Sequence, residues 1–197
     1  MVDKNTKRAI GCGMVSELHC LWTRPPKKVQ DGKDLFWGKA TRLKAPSFHD
    51  DFVDFIAALN RHDVRYVLVG GYAVVTHGYS RNTGDLDVWI NPTSKNYQKL
   101  QKSFNEFGLP ISAIPIEKFL DEKYDVYSFG RSPIAIDIMT KVKGLSFDEV
   151  FKSAVWVDIG KSVQVKVVSL KDLIKAKKAS GRYKDLDDIE HLTKDEE

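Results

Sequence analysis

The stretch from Val69 to Ile90, VGGYAVVTHGYSRNTGDLDVWI, limits what this chain can fold into more than any other. It completes an apolar run, Val64 to Val69, rich in β-branched and aromatic residues and without strict alternation, the pattern of a strand buried on both faces. That run closes on Gly70-Gly71. The chain then reads as a short helix from Gly71 to about His77, stopped by Gly78. Gly84 to Ile90 reads as a second strand. Residues two apart in a strand share a face, so Asp85, Asp87 and Trp89 point one way and Leu86, Val88 and Ile90 the other.

Both halves of this stretch suggest chemistry, and each has a plain structural alternative. A strand that ends in Gly-Gly and opens a helix lets backbone N–H groups approach an anion with no Cβ in the way, and the helix start adds partial positive charge. That describes a phosphate seat, although many turns also contain Gly-Gly. Two carboxylates on one strand face repel unless a cation joins them or one is protonated. Mg²⁺ prefers oxygen ligands and is commonly held by one or two carboxylates plus substrate phosphates. The alternative is a solvated edge strand with two surface acids.

A third acid strengthens the metal reading. In IAIDIMT, Ile134, Ile136 and Ile138 share one face, and Ala135, Asp137 and Met139 the other. An aspartate in so apolar a strand is costly unless paired or metal-bound. If that strand lies beside the Asp85 strand, the three acids converge into a two-metal arrangement suited to phosphoryl or nucleotidyl transfer. The alternative for Asp137 is a salt bridge to a core lysine or arginine.

Gly70-Gly71, thirteen intervening residues, Asp85-x-Asp87 and a later strand aspartate resemble the nucleotidyltransferase superfamily of DNA polymerase β. The fuller stretch, with LKDLIKAKKASGRYKDLDDIEHL downstream, is similar to small bacterial nucleotidyltransferase-like proteins related to type IV abortive-infection toxins and to minimal nucleotidyltransferases. The resemblance covers about residues 47–193. It implies that Gly70 and Gly71 seat a nucleoside triphosphate, that Asp85 and Asp87 ligate Mg²⁺, and that Asp137 completes a second metal site and helps activate the acceptor hydroxyl. It implies an acceptor that is a tRNA, a protein or a small molecule, and a cognate toxin or antitoxin partner. One departure stands out: superfamily members often carry Gly-Ser, with the serine hydroxyl on a phosphate, where this chain has Gly71 and then Tyr72.

Other residues join the candidate site, each with a structural alternative. Arg81 and Thr83 lie between the glycines and the aspartates; an arginine suits phosphate oxygens, or it anchors the loop or pairs with Asp85. Leu170, Leu173, Ile174 and Lys177 follow helical spacing, so Lys177 faces inward and needs an anion, either bound triphosphate or the aspartate cluster. Arg182 and Lys184 extend the positive surface. Asp185, Asp188, Ile189 and Leu192 share a helical face, with Asp185 a candidate N-cap. His77 falls at the end of the short helix, where a positive charge is a common structural choice.

The remaining chain frames these motifs. A helix capped by Ser47 carries Phe48, Phe52, Phe55, Ile56 and Leu59. Further helices are expected over Thr93 to Phe107, Ser146 to Ala154 with a Ser146/Glu149 capping box, Ser169 to Lys178 and Leu186 to Leu192. Strands are expected over Tyr124 to Phe129 and Ile134 to Met139, joined by a turn at Gly130 to Pro133, with a hairpin around Ile159-Gly160-Lys161. The element order predicts an α/β or α+β domain, one mixed sheet flanked by helices and completed by C-terminal helices.

Residues 1–46 differ from the rest. Glycine, proline and lysine interrupt every apolar run, so we expect a flexible or irregular extension ahead of a 47–197 domain. Those residues hold ten Lys and Arg against four Asp and Glu, and the remainder 21 against 23, so the net charge of +4 belongs to the extension. The body shows no overall basic signal for nucleic acid, although the extension could touch RNA. Cys12, His19 and Cys20 make a weak metal set without further ligands. Two cysteines, no apolar run long enough to span a membrane and no secretory leader pattern fit a reducing cytoplasm.

The reading is thus a Mg²⁺-dependent nucleotidyltransferase moving a nucleoside monophosphate to a hydroxyl. Its first rival is a catalytically inactive nucleotide-binding module acting through a partner. A glycosyltransferase using Asp-x-Asp is disfavoured, because that motif needs a larger Rossmann-like domain before it than the stretch from Pro46 to Gly70 allows.

Overall fold

The computed structural model describes residues 47–123, 125–131 and 134–194, so the basic extension and its cysteines lie outside the described residues. Helix α1 (Asp50–Arg61) leads into strand β1 (Tyr66–Leu68), helix α2 (Gly70–Thr76) and strand β2 (Asp85–Ile90). Helix α3 (Ser94–Phe107) follows, capped by the Thr93 hydroxyl and ended by Gly108 in the left-handed conformation. A 3₁₀ turn (Ile111–Ala113) and the single-turn helix α4 (Ile116–Phe119), neither anticipated from sequence, lead to strands β3 (Val126–Arg131) and β4 (Ile134–Met139). Helix α5 (Phe147–Ser153), strands β5 (Val155–Asp158) and β6 (Gln164–Val167), and helices α6 (Leu170–Ser180) and α7 (Tyr183–Thr193) complete the domain.

The six strands form one mixed sheet in the order β3-β4-β2-β1-β6-β5. Strand β2 runs antiparallel to β1 and parallel to β4, and β1 runs parallel to β6. This is the α/β arrangement the element order predicts. Its core joins one sheet face to α1 and α3: Phe55 meets Phe104 and Phe107 edge-on, with ring centroids 5.9 and 5.2 Å apart. Leu86, Val88 and Ile90 are wholly buried, as their shared face requires.

The opposite face of β2 is not uniformly acidic. Asp85 is exposed, Asp87 partly buried and Trp89 buried, so the strand passes from water into the core along its length. Trp89 packs edge-on against Phe147 at 5.1 Å and donates its indole N–H to the Thr140 carbonyl at 3.1 Å. The acids therefore stand only at the strand's open end.

Several caps differ from the sequence expectation. Helix α1 is capped by His49, whose ring accepts from the Asp51 N–H at 3.3 Å, and not by Ser47. Phe48 stacks on Tyr72 at 4.6 Å, and His49 after it is the extended residue from which the helix starts. Ser146 does cap α5, but its side chain makes no cap hydrogen bond, so the capping box does not form. Arg65 holds Asp148 in that first turn instead, at 2.7 Å. Strand β3 runs on through Arg131, so Gly130 and Arg131 belong to it and not to the expected turn; residues 132–133 lie outside the described residues.

Candidate active site

Gly70 and Gly71 stand where β1 gives way to α2, and the sheet shows why no side chain fits there. Gly70 has φ +62°, and a Cβ on it would lie 1.9 Å from Asp87 Oδ2. A Cβ on Gly71 would lie 2.1 Å from the Thr83 hydroxyl oxygen and 3.4 Å from Arg81 Nη2. Three of the residues singled out from sequence, Asp87, Thr83 and Arg81, thus press on the two glycines. The Gly71 N–H donates to Asp87 Oδ2 at 3.3 Å, so the helix start already faces a carboxylate. The Thr83 hydroxyl occupies almost the place that a serine at position 71 would fill with its own.

The third acid comes from the neighbouring strand. In the parallel β2–β4 pairing Asp87 is in register with Asp137, and Asp85 with Ala135. Adjacent strands lie about 4.8 Å apart, and registered residues share a face, so Asp87 and Asp137 stand side by side with Asp85 diagonal to them. Burial pushes the Asp87 carboxyl up to about 6, and the charges of Asp137 and Asp85 add to the rise, against the Gly71 N–H and Lys177. None of the three carboxylates has an ion-pair partner among the described residues, so the salt bridge weighed for Asp137 is not formed there. Among the described residues no group of three or more His, Cys, Asp or Glu side chains is arranged to hold a metal ion by itself. The donor set fits Mg²⁺ only in the mode where substrate phosphates complete the shell.

The cations come from the C-terminal helices. Lys177 faces inward as expected, at 6% exposure. Its ammonium lies 2.6 Å from Asp188 Oδ2 and 3.2 Å from Asp185 Oδ1. Arg81 grips the same Asp188 at two points, Nε to Oδ1 at 2.7 Å and Nη2 to Oδ2 at 3.2 Å, rather than pairing with Asp85. Arg182 reaches Asp185 at 2.8 Å from a side chain that is 76% exposed. Burial would raise the Asp185 carboxyl, but hydrogen bonds from Arg182, Ser180 and Lys177 overcome it and hold the group down at about 2.

Asp185 is not the N-cap of α7. The helix begins at Tyr183 with Arg182 as its cap, so Asp185 sits inside the first turn, buried among cations. Asp188, wholly buried, is the residue that sequence reasoning placed on the inward face without a role. The signal was present: two acids three apart on one helix face, opposite an inward lysine. His77 caps α2, but burial lowers its pKa and its ring nitrogen lies 2.7 Å from the Val168 carbonyl oxygen. It is a neutral, inward group and not a charge at the helix end.

Beside the seat lies an open cavity of about 500 Å³, lined by Phe48, His49, Tyr72, Thr83, Gly84 and Ile134 among others. A Gly-Gly helix start against an Asp-x-Asp strand, with a third aspartate in register on a parallel neighbour, defines a nucleotidyltransferase-like domain. The chain belongs to the family described as nucleotidyltransferase of unknown function (DUF6036), whose model matches residues 51–193. No curated protein matches it. Among solved structures it is similar to a Thermotoga maritima protein described as a putative nucleotidyltransferase. That likeness has 13% identity and a TM-score of 0.46, and covers 73% of this chain and 91% of the other.

Proposed function

We propose that the protein transfers a nucleoside monophosphate from a nucleoside triphosphate to a hydroxyl acceptor, an RNA or a protein, with Mg²⁺. The observation that carries this reading is three carboxylates without ion-pair partners among the described residues, two of them in register, beside a backbone seat that excludes side chains. The phosphates would lie against the N–H groups of Gly70 and Gly71, with the Thr83 hydroxyl and the Arg81 guanidinium beside them. Thr83 would supply the hydroxyl that the Gly-Gly sequence lacks at position 71.

Asp85, Asp87 and Asp137 would hold Mg²⁺, which when bound offsets the charge on the phosphates and the reacting oxygens. The acceptor oxygen attacks the α-phosphorus in line. Its bond to phosphorus forms as the bond to the bridging oxygen breaks, and pyrophosphate leaves. The hydroxyl proton passes to the Asp137 carboxylate. Lys177 and Arg182 offset charge on the leaving pyrophosphate. The chain's own contribution is position and fixed charge, as phosphoryl chemistry requires.

The test is label transfer. The protein is incubated with Mg²⁺ and each α-³²P-labelled nucleoside triphosphate, with bulk tRNA and a cell extract, beside an Asp85→Ala/Asp87→Ala variant. Label on RNA or protein that the variant abolishes supports the reading. Nucleotide binding without label on any acceptor would favour a binding module that works through a partner.

A further inference from the structure

The junction of α6 and α7 carries a charge pattern of which the transfer chemistry uses only Lys177 and Arg182. From Ile174 to Lys184 the chain holds Lys175, Lys177, Lys178, Arg182 and Lys184 and no acidic residue. Only Lys177 turns inward. Lys171, Lys175 and Lys178 recur at i, i+4 and i+7, so they form one exposed stripe about 10 Å long on α6. None of the three forms an ion pair among the described residues. The stripe leads to Arg182 and then to Tyr183, whose ring is 94% exposed at the first position of α7.

A bare tyrosine between cations suits a specific kind of partner. Lysines along a helix neutralise a polyphosphate backbone, and a fully presented aromatic ring offers a face on which an unstacked base can lie. An acidic peptide would use the cations but leave the ring idle. The junction also adjoins the carboxylates, since Arg182 is close enough for Asp87 and Asp188 to act on its charge.

We propose that the Lys171–Lys175–Lys178 stripe, Arg182 and Tyr183 form the docking surface for the single-stranded end of an RNA, which presents the acceptor hydroxyl. The acceptor role rests on the transfer reading above, whereas docking itself does not need it. The body of the chain is slightly acidic, so this surface is a local feature rather than a consequence of net charge.

The experiment measures binding of the full chain to a fluorescein-labelled single-stranded RNA by anisotropy, without nucleotide, over a range of salt. Tyr183→Ala should weaken binding about 5- to 100-fold, the loss of one base–aromatic stack. Lys175→Gln/Lys178→Gln should lower the slope of log affinity against log salt by about 1.4, two phosphate contacts on a single strand. All these side chains are exposed, and thermal melting checks that the variants remain folded. Unchanged affinity and slope in both variants, with RNA still bound, would place the RNA elsewhere and overturn the proposal. Absence of RNA binding by the parent chain would overturn it too, as would labelling of a protein instead of RNA that is lost in these variants. RNA binding that weakens in these variants, with no label transferred by the parent chain, would sink the transfer reading alone.

Discussion

Asp87→Asn should stabilise the free protein, and by an amount that depends on pH. The carboxyl of Asp87 is pushed up from 3.8 to about 6, chiefly by burial, so the fold prefers it protonated. A raised acid contributes its stabilisation fully below its unfolded value and loses it as pH rises through the folded one. At neutral pH the ionised group therefore weighs against folding. A shift of about two units corresponds to roughly 3 kcal/mol at 1.36 kcal/mol per unit, an upper figure reduced to about 2 by solvent at the open end of β2. Asparagine keeps the shape and can still accept from the Gly71 N–H, but carries no charge. Thermal unfolding should show equal melting temperatures near pH 4, and a lead for the variant of about 4–8 °C by pH 7 to 8. Adding Mg²⁺ with a nucleoside triphosphate should raise the melting temperature of the parent and leave the variant's unchanged. A variant that melts below the parent at pH 8, or by the same offset at every pH, would refute the reasoning.

Asp188→Ala should be among the most damaging single changes, because it removes the buried carboxylate that Arg81 and Lys177 share and leaves Lys177 only Asp185. A loss of about 3–5 kcal/mol is expected in urea unfolding, and adding Lys177→Met should return part of it. Gly71→Ser should fail alone, costing about 1–3 kcal/mol through overlap with the Thr83 hydroxyl and Cβ, 2.1 and 2.8 Å from the added Cβ, yet be rescued by Thr83→Gly, which removes both. If the double variant regained stability but not nucleotide binding by calorimetry, a seat built on an interchangeable hydroxyl would be wrong.

What the sequence revealed about this protein followed from periodicity. Alternation in IAIDIMT and DLDVWI gave the faces of β4 and β2, and the apolar faces match the buried core except at Ile134, which is 37% exposed at the start of β4. Adjacency of those strands could not be read from either one, because about 50 residues of chain separate them. Caps were less legible for a related reason. Ser47 and Ser146 have the right chemistry, but Phe48 stacking on Tyr72 and Arg65 reaching Asp148 decide the local geometry, and both are long-range contacts. The inward lysine of α6 was visible at helical spacing; its partner was not, since Asp188 belongs to a different helix. The exposure of Tyr183 left no signal at all, as an aromatic at a helix start is more often buried.

Arg81, whose guanidinium lies beside the glycine turn, has its carboxylate partner, Asp188, on α7. That dependence has a consequence for a chain still being made. The three aspartates are all synthesised by residue 137, whereas Asp188 follows about 50 residues later, some 3–10 s of elongation. During that interval the nascent chain carries the acids without the side chain that fixes the guanidinium beside the seat. The cluster is therefore built from its anionic side first, and its guanidinium gains its carboxylate only once α7 has left the ribosome.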